Sequence, residues 1–529
     1  MSPIRKTWPA PRGGITSASR SEPVVSGLGR VYSVGLNAFA ADMIEIQANI
    51  SSGLPGVTIS GNVDASLREA KERVRAAISN SELKFPGTKV TIALAPASLP
   101  KIGPGFDVAM AIAVLLASRE VSPTKLEGTV MLGELALDGR LRPVRGVLPR
   151  LLAARDAGFE RAVVPIGNVA EATLVSGLDV GGAQSLSDVV RWLAGDVVLD
   201  TVDGERAEIP EPTIPDMADV SGQAAARRAL EIAAAGAHHL MMTGPPGIGK
   251  TMLASRLPGI LPPLAPEEAL EVTAIHSIAG TLPAHHPLIT SPPFVAPHHS
   301  AGITALLGGG TGMARPGSVS RAHRGILFLD ECAEMGPKVL DSLRQPLEEG
   351  EVRISRRDGT AVYPARFQLV LAANPCPCAP VHDVDCICTS IQRRRYLGRL
   401  SGPLMDRIDL RVPMEPPANN ALMTEAGEAS AIVAERVGAA REAAKQRWST
   451  DGWLTNAEVP GNALRQRYRP PLAALRPLEQ ALRHGRITAR GADRALRVAW
   501  TITDLRGGDE PGEDDVVSAL MYRDRGGRA

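Results

Sequence analysis

Positions 43–50, Met-Ile-Glu-Ile-Gln-Ala-Asn-Ile, alternate apolar and polar side chains and predict a half-buried strand. Positions 56–61 read as a second short strand ending on a glycine. Asp64 then stands as N-cap to a helix reaching position 79, with Leu67, Ala70, Val74 and Ala77 as its apolar face. Arg68, Lys71, Arg73 and Arg75 fall mostly outside that face; they read as a solvated side, with nucleic-acid contact as the other reading. Alternation returns at 89–95, the apolar run 107–118 predicts a buried helix, and 162–165 a late strand. The order predicts an α/β domain over residues 28–195, preceded by a flexible tail over 1–27 that lacks such patterning.

Residues 196–215 carry Asp, Glu, Pro and Thr with little apolar periodicity and read as a linker. An Ala-rich helix follows at 224–236. Three short apolar runs, 239–243, 325–329 and 367–373, suit strands buried on both faces of a parallel sheet. Residues 252–257 and 337–349 read as helices. Residues 351–355 and 360–363 flank Asp358-Gly359, a strong hairpin turn signal. From there the period turns helical, at 422–448, 471–484, 487–505 with Thr488 as N-cap, and 514–523. An α/β core over 216–415 and a helical domain over 416–529 are the expectation.

Composition removes several function classes. Of 529 residues, 44% are hydrophobic, ample for buried cores, and no apolar run exceeds 108–117, too short for a bilayer. Residues 1–30 contain no apolar stretch of the secretory kind, so a membrane partner is not expected. A net charge of +1 predicts no bulk attraction to nucleic acid, so any such contact must come from a local basic patch. Aromatic content of 3% argues against base-stacking platforms. The five cysteines all lie between Cys332 and Cys388, which points to a local site in a reducing cytoplasm rather than a disulfide scaffold.

The candidate chemistry begins at Gly244-Pro245-Pro246-Gly247-Ile248-Gly249-Lys250-Thr251, which reads G-x-x-x-x-G-K-T. Such a loop turns backbone N–H groups onto phosphate oxygens. Lys250 is placed to reach the β- and γ-phosphates of ATP, and Thr251 to ligate Mg²⁺. Asp330 and Glu331 end an apolar strand on the edge where open α/β sheets bind ligands. Asp330 is expected to hold Mg²⁺ through water, and Glu331 to orient and deprotonate the attacking water. Asn374 ends the next strand and is expected to bond that water or the γ-phosphate. The hairpin carries Arg353, Arg356 and Arg357; a basic hairpin facing a ring's pore would meet phosphates, and a solvent-facing turn is the other reading.

Two resemblances extend this. Pro100-Lys101-Ile102-Gly103-Pro104-Gly105, the stretch 133–140 and Pro143-Val144-Arg145-Gly146 resemble the proteolytic domain of Lon, a ribosomal-S5-like α/β fold. In Lon the nucleophilic serine falls where Gly105 stands and its activating lysine where Leu148 stands. A hydroxyl nucleophile needs a base, so no peptidase activity is expected. The stretch 219–223 resembles the adenine-side entry of AAA+ ATPases.

Pro297-His298-His299-Ser300, Arg315-Pro316-Gly317, Asn374-Pro375-Cys376-Pro377-Cys378 and the stretch 401–409 resemble the YifB/ComM family of magnesium-chelatase-like AAA+ proteins. That resemblance implies a P-loop AAA+ core, a C-terminal helical lid and a homo-hexameric ring. It implies Arg407 as an arginine finger onto the neighbour's nucleotide, and Arg490 on the γ-phosphate of its own subunit, with Arg494 as the alternative. It implies a DNA branch-migration helicase acting in recombination and natural transformation. A metal-insertion ATPase subunit and a chaperone or assembly ATPase are the competing readings. The paired histidines suggest a contact particular to the family, with a neighbouring subunit.

Cys376, Cys378, Cys386 and Cys388 place four thiols within thirteen residues and suit tetrahedral Zn²⁺. Free or redox-active thiols and an iron–sulfur centre are the alternatives.

Overall fold

The computed structural model describes residues 27–201, 214–283, 287–310, 314–356, 359–380, 385–414 and 427–523, with Arg356 described by its backbone alone. The tail expected before position 27, most of the linker and Arg357 lie outside the described residues.

The first sheet has seven strands, β1 (Leu28–Asn37), β2 (Ala40–Ser51), β3 (Gly56–Ser60), β4 (Lys89–Ala95), β5 (Thr129–Met131), β6 (Arg161–Pro165) and β7 (Asp179–Ala183). Their order is β3-β4-β2-β1-β5-β6-β7. β2 pairs antiparallel with both β1 and β4, and the other pairs are parallel. Helices α1 (Ala65–Asn80) and α2 (Asp107–Ala117) cover one face, sharing a core of Leu67, Val74, Ile92 and Met110. α3 (Val147–Asp156) covers the opposite face, and α4 (Leu186–Ala194) closes the unit on the first core. Asp64 caps α1 by accepting the N–H of Leu67 at 2.9 Å. Arg73, expected on the solvated side, instead pairs with the buried Asp107 at 2.7 Å and ties α1 to α2.

The second sheet is wholly parallel. Its helices and strands run α5 (Ala224–Gly236), β8 (Leu240–Thr243), α6 (Lys250–Ala254), α7 (Pro266–Ala279), β9 (Phe294–Val295), β10 (Ile326–Leu329), the hairpin β11 (Glu351–Arg356) and β12 (Gly359–Pro364), then β13 (Gln368–Ala373) and β14 (Leu410–Pro413). The order is β9-β10-β13-β8-β14, so the phosphate-loop strand β8 is flanked on both sides. β10 and β13 are buried along their whole length, which is why these runs show no polar alternation. The helix expected over 337–349 is two, Pro337–Asp341 and Arg344–Glu349. Pro346 has no N–H to continue a ladder, but it sits without cost in the first turn of a new helix.

The C-terminal helices are α8 (Ser430–Trp448), α9 (Leu472–Arg483), α10 (Ala489–Leu505) and α11 (Glu513–Met521). Thr488 caps α10 as expected, accepting the N–H of Gly491 at 3.1 Å. The fully buried Trp448 stands edge-on to Tyr468, Trp453 and Trp500, and its indole donates to Asn456 Oδ1 at 2.8 Å. Three of the five tryptophans are thus spent on this core. The core is continuous with Ala233 of α5 and with Leu240 and Val370 of the parallel sheet. A second continuity joins the two sheets: Leu148 and Leu151 of α3 share a core with Ile275 and Ile278 of α7 and with Ala361 and Tyr363 of the hairpin. Glu171 completes that junction by accepting from Leu148 N at 2.7 Å and from the hydroxyl of Ser277.

Candidate nucleotide site

β8 ends at Thr243 and the loop 244–249 turns directly into α6. Gly247 (φ 76°) and Gly249 (φ 97°) occupy left-handed backbone that a side chain would strain. Lys250 follows with 7% exposure. Its ammonium donates to the carbonyls of Gly244 (2.6 Å) and Pro245 (2.8 Å) and to Asn374 Oδ1 (3.1 Å). Burial pulls its pKa down, while the charges of Asp330 and Glu331 oppose that. Thr251 Oγ1 donates to Asp330 Oδ2 at 2.5 Å, and Asp330 Oδ1 accepts the N–H of Glu331 at 2.8 Å. Lys250, Thr251, Asp330, Glu331 and Asn374 therefore gather at the C-terminal edge of three adjacent strands. Hydroxyl and carboxylate already meet where a divalent cation would take both as ligands, so the donor set fits Mg²⁺.

His299 also reaches this site. Its Nδ1 lies 2.9 Å from Glu331 Oε2, while His298, its ring centroid 4.1 Å from that of His299, bonds Ser300 Oγ at 2.8 Å. Sequence reasoning set the two histidines apart as a contact with another subunit. Within the chain, the adjacency of β9 and β10 places His299 on the carboxylate. Glu331 itself has φ 47°, so its backbone is held in a conformation uncommon for a side-chain-bearing residue.

Arg407 lies elsewhere. β14 runs parallel to β8 with Leu410 opposite Leu240, so Arg407 precedes the N-terminal edge of the sheet while the phosphate loop leaves the C-terminal edge. Four residues of strand separate the two edges, about 13 Å at the usual rise. The guanidinium donates to Pro403 O at 2.6 Å and to the carboxylate of Glu348. Burial lowers its pKa, and so do the neighbouring charges of Arg494, Arg344 and Arg490.

Arg490, expected on the γ-phosphate of its own subunit, lies near Arg407. α10 docks at the N-terminal edge, where Arg494 holds Asp409 Oδ1 at 2.6 Å. That edge is the one remote from the chain's own phosphate loop, and Arg490 shares it with Arg407. Asp409 is fully enclosed; burial would raise its pKa, but Arg494 and the nearby His238, 3.7 Å away, hold it well below the carboxylate range.

The sulfurs of Cys376, Cys378, Cys386 and Cys388 lie within 4.8 Å of one another. The closest three are spaced 3.4 to 3.5 Å. Tetrahedral Zn–S bonds require about 3.8 Å between sulfurs, so the four thiols fit one ion and are too close to surround a multi-iron cluster. All five cysteines are unpaired. Cys332, packed beside Glu331, is pushed up to about 12 by burial. The four-thiol group begins two residues beyond Asn374.

In the first domain a Cβ on Gly105 would collide with Arg150 Nη1. The space a nucleophile would need is filled by that buried guanidinium, and Leu148 is fully buried in the junction core. In the hairpin, Arg353 is exposed but paired with Glu351 at 2.5 Å and Glu349 at 3.7 Å.

Three family profiles tile the chain. Residues 216–422 match magnesium chelatase, subunit ChlI; residues 46–168 match subunit ChlI of Mg-chelatase; and residues 427–523 match the ChlI C-terminal profile. An uncharacterised protein of Mycobacterium tuberculosis is 56% identical over 501 residues, 95% of this chain and 99% of that one. The uncharacterised protein YifB of Escherichia coli is 41% identical over 500 residues, covering 93% and 95%. Competence protein ComM of Haemophilus influenzae is 40% identical over 500 residues, covering 93% and 97%. Lon protease of Mycolicibacterium smegmatis is similar over a shorter span, 26% identical over 169 residues, 30% of this chain and 21% of that one. Among the described residues no helix is long and apolar enough to cross a membrane.

Proposed function

Because this chain belongs to the YifB/ComM family of magnesium-chelatase-like AAA+ proteins, we propose that it hydrolyses ATP at the seams of a homo-hexameric ring and uses the energy to drive DNA branch migration during recombination. The observation that carries the seam is the separation of Arg407 from its own phosphate loop by the length of β8. A finger that cannot reach its own nucleotide needs a head-to-tail neighbour, and such contacts close into rings.

In this reading Lys250 exchanges its two loop carbonyls for the β- and γ-phosphates. Thr251 and Asp330 would hold Mg²⁺, which would supply charge neutralisation at the phosphate oxygens. Glu331 takes a proton from the attacking water, with His299 fixing the direction of its carboxylate. Asn374, which bonds Lys250 at 3.1 Å, lies beside that water and holds it in line. Arg407 exchanges Glu348 for the neighbour's γ-phosphate, and Arg490 on the same edge enters the neighbour's site with it. The work is done in the cytoplasm, and the first domain carries no proteolytic step.

The DNA part rests on the word competence in one relative's name and on the basic hairpin of Arg353, Arg356 and Arg357. ATP turnover with and without forked DNA, with Lys250→Ala as the blank, tests it. Stimulation by forked DNA of several-fold is the expected result. Stimulation by unfolded polypeptide alone would turn the reading to a chaperone. Dependence on a porphyrin-binding partner would turn it to metal insertion, the activity that the family's profile names suggest.

We also assign Zn²⁺ to the four cysteines as a structural ion that pins the chain just beyond Asn374. One equivalent of zinc in anaerobically purified protein is expected. Substoichiometric metal, or a Cys378→Ser variant with unchanged zinc content, would remove the assignment.

A further inference from the structure

A groove of about 1100 Å³ opens along the N-terminal edge of the parallel sheet, where His239 and Gly325 lead into β8 and β10. Its walls come from the start of α7, from α8 and from the segment 346–350. Seven of its lining side chains are carboxylates and four are cations, a surplus of three negative charges. Some of the carboxylates have partners: Glu268 and Glu271 share Arg324 at 3.1 and 3.4 Å, and Glu348 holds Arg407. Glu267 and Glu442 stand exposed on opposite walls. Leu261, Leu264 and Leu454 give the groove apolar surface as well.

The opposite charge is gathered beside the four thiols. Residues 386–399 contain four arginines and no acid. The helix Ser390–Leu397 lies in this stretch. Positions 391–395 are all exposed, and five positions exceed one turn, so water meets the helix on every face. Only Tyr396 and Leu400 bury its far end. Arg399 ties it to the C-terminal edge of the sheet, donating to Ala333 O at 3.2 Å and to Glu334 at 2.8 Å, three residues past Glu331. A helix that is polar all round needs ion pairs of its own or a partner. With no acid in the stretch, pairs one turn apart are not available to it. Ile391, 72% exposed in its first turn, also lacks an apolar seat.

We propose that the acidic groove receives the basic helix Ser390–Leu397 of an adjacent copy of this chain. Size, charge and direction agree. Eight helical residues make a rod about 12 Å long and about 10 Å across, about 900 Å³, which the groove accommodates. Arg394 and Arg395 meet the surplus carboxylates, and Ile391 meets the leucines. The helix belongs to the C-terminal edge of the sheet and the groove to the N-terminal edge, so the contact is head-to-tail, the kind that closes rings. The proposal rests on the ring reading above and supplies surfaces that close it. It also brings the neighbour's cations beside Glu348, the carboxylate that holds Arg407 within one chain. Docking thereby favours release of the finger toward that same neighbour.

The test is sedimentation of the full-length protein with a non-hydrolysable ATP analogue, over a range of protein and salt concentrations. The wild type is expected to assemble, less readily as salt rises. Arg394→Glu with Arg395→Glu should raise the protein concentration needed for assembly at least about tenfold, by setting like charges against each other. Glu267→Lys with Glu442→Lys should do the same. All four side chains are exposed, so each variant should keep the wild-type fold, checked by circular dichroism. Combining the four changes in one chain should restore assembly, because every seam then pairs the reversed charges. A helix variant that assembles like the wild type overturns the docking and leaves the ring standing. If that variant loses affinity for duplex DNA instead, the helix serves nucleic acid and the docking is equally overturned. Failure of the combined variant to recover also overturns it. A wild type that stays monomeric with nucleotide bound overturns the ring reading and the docking together.

Discussion

Asp409→Asn should loosen the helical domain from the parallel sheet and disable the finger at the same time. The carboxylate, 2% exposed, meets Arg494 at 2.6 Å and accepts the backbone N–H of His239 at 3.1 Å. An asparagine of the same shape keeps one oxygen and turns an NH₂ toward one of those donors. One charge-assisted hydrogen bond goes, worth about 1.5–3 kcal/mol, and Arg494 loses its counter-charge. Breaking a buried pair costs about 3–5 kcal/mol. Arg494 keeps 20% exposure to water, so the lower end, about 3 kcal/mol, applies. At about 2 °C per kcal/mol for a large unit, the thermal midpoint should fall by about 6 °C. Emission from Trp448, Trp453 and Trp500 reports that transition, since all three lie in or against the C-terminal core. Arg494→Gln should cost a similar amount, and the double variant clearly less than the sum. A midpoint moved by less than about 1 °C, or strictly additive variants, would refute the argument that this pair docks the helices.

His299→Ala should lower kcat about tenfold with KM unchanged, because it removes only the group that aims the water-activating carboxylate; a changed KM with intact kcat would place His299 in substrate binding instead. Stability should fall as pH drops from about 6.5 toward 4: burial pulls His239 down to about 4, and its Nδ1 accepts the N–H of Leu369 at 3.0 Å. The folded state prefers the neutral ring, so this contribution is complete above the unfolded pKa and is lost on acidification, by up to about 3 kcal/mol; an identical pH profile in His239→Asn would contradict it. Lys250→Ala should abolish nucleotide binding measured by a fluorescent ATP analogue while stability changes by about 1 kcal/mol or less, because the ammonium bonds only to loop carbonyls and Asn374; retained binding would remove the loop from the account.

Much of the site was legible because its residues are local in sequence. The phosphate loop is one continuous stretch, and Asp330-Glu331 and Asn374 each end an apolar run that could only be a buried strand. The amphipathic helices around Leu475 and Leu478, and Thr488 as cap, were legible for the same reason. What stayed hidden depends on distant pairing. β1 was missed because Val31, Val34 and Leu36 are interleaved with buried Ser33 and Gly35 in the middle of a sheet, so no polar alternation marks it. His299 meets Glu331 only through the parallel pairing of β9 with β10. The edge that Arg490 approaches was hidden because nothing in a helix's sequence says which edge of the sheet it will dock against; that is decided by Asp409 and Arg494, 85 positions apart. Arg73 looked solvated because its partner Asp107 lies on another helix.

The central claim is that each nucleotide is split between two protomers, with Lys250 from one and Arg407 from the next. Mixing Lys250→Ala with Arg407→Ala, each inactive alone, tests it most directly. In random closed rings made from equal amounts, about a quarter of the seams pair an intact loop with an intact finger, so turnover should recover to about one quarter of the wild-type rate. Recovery of nothing above the separate variants, with mixed assembly demonstrated by a tag on one of them, would contradict the account.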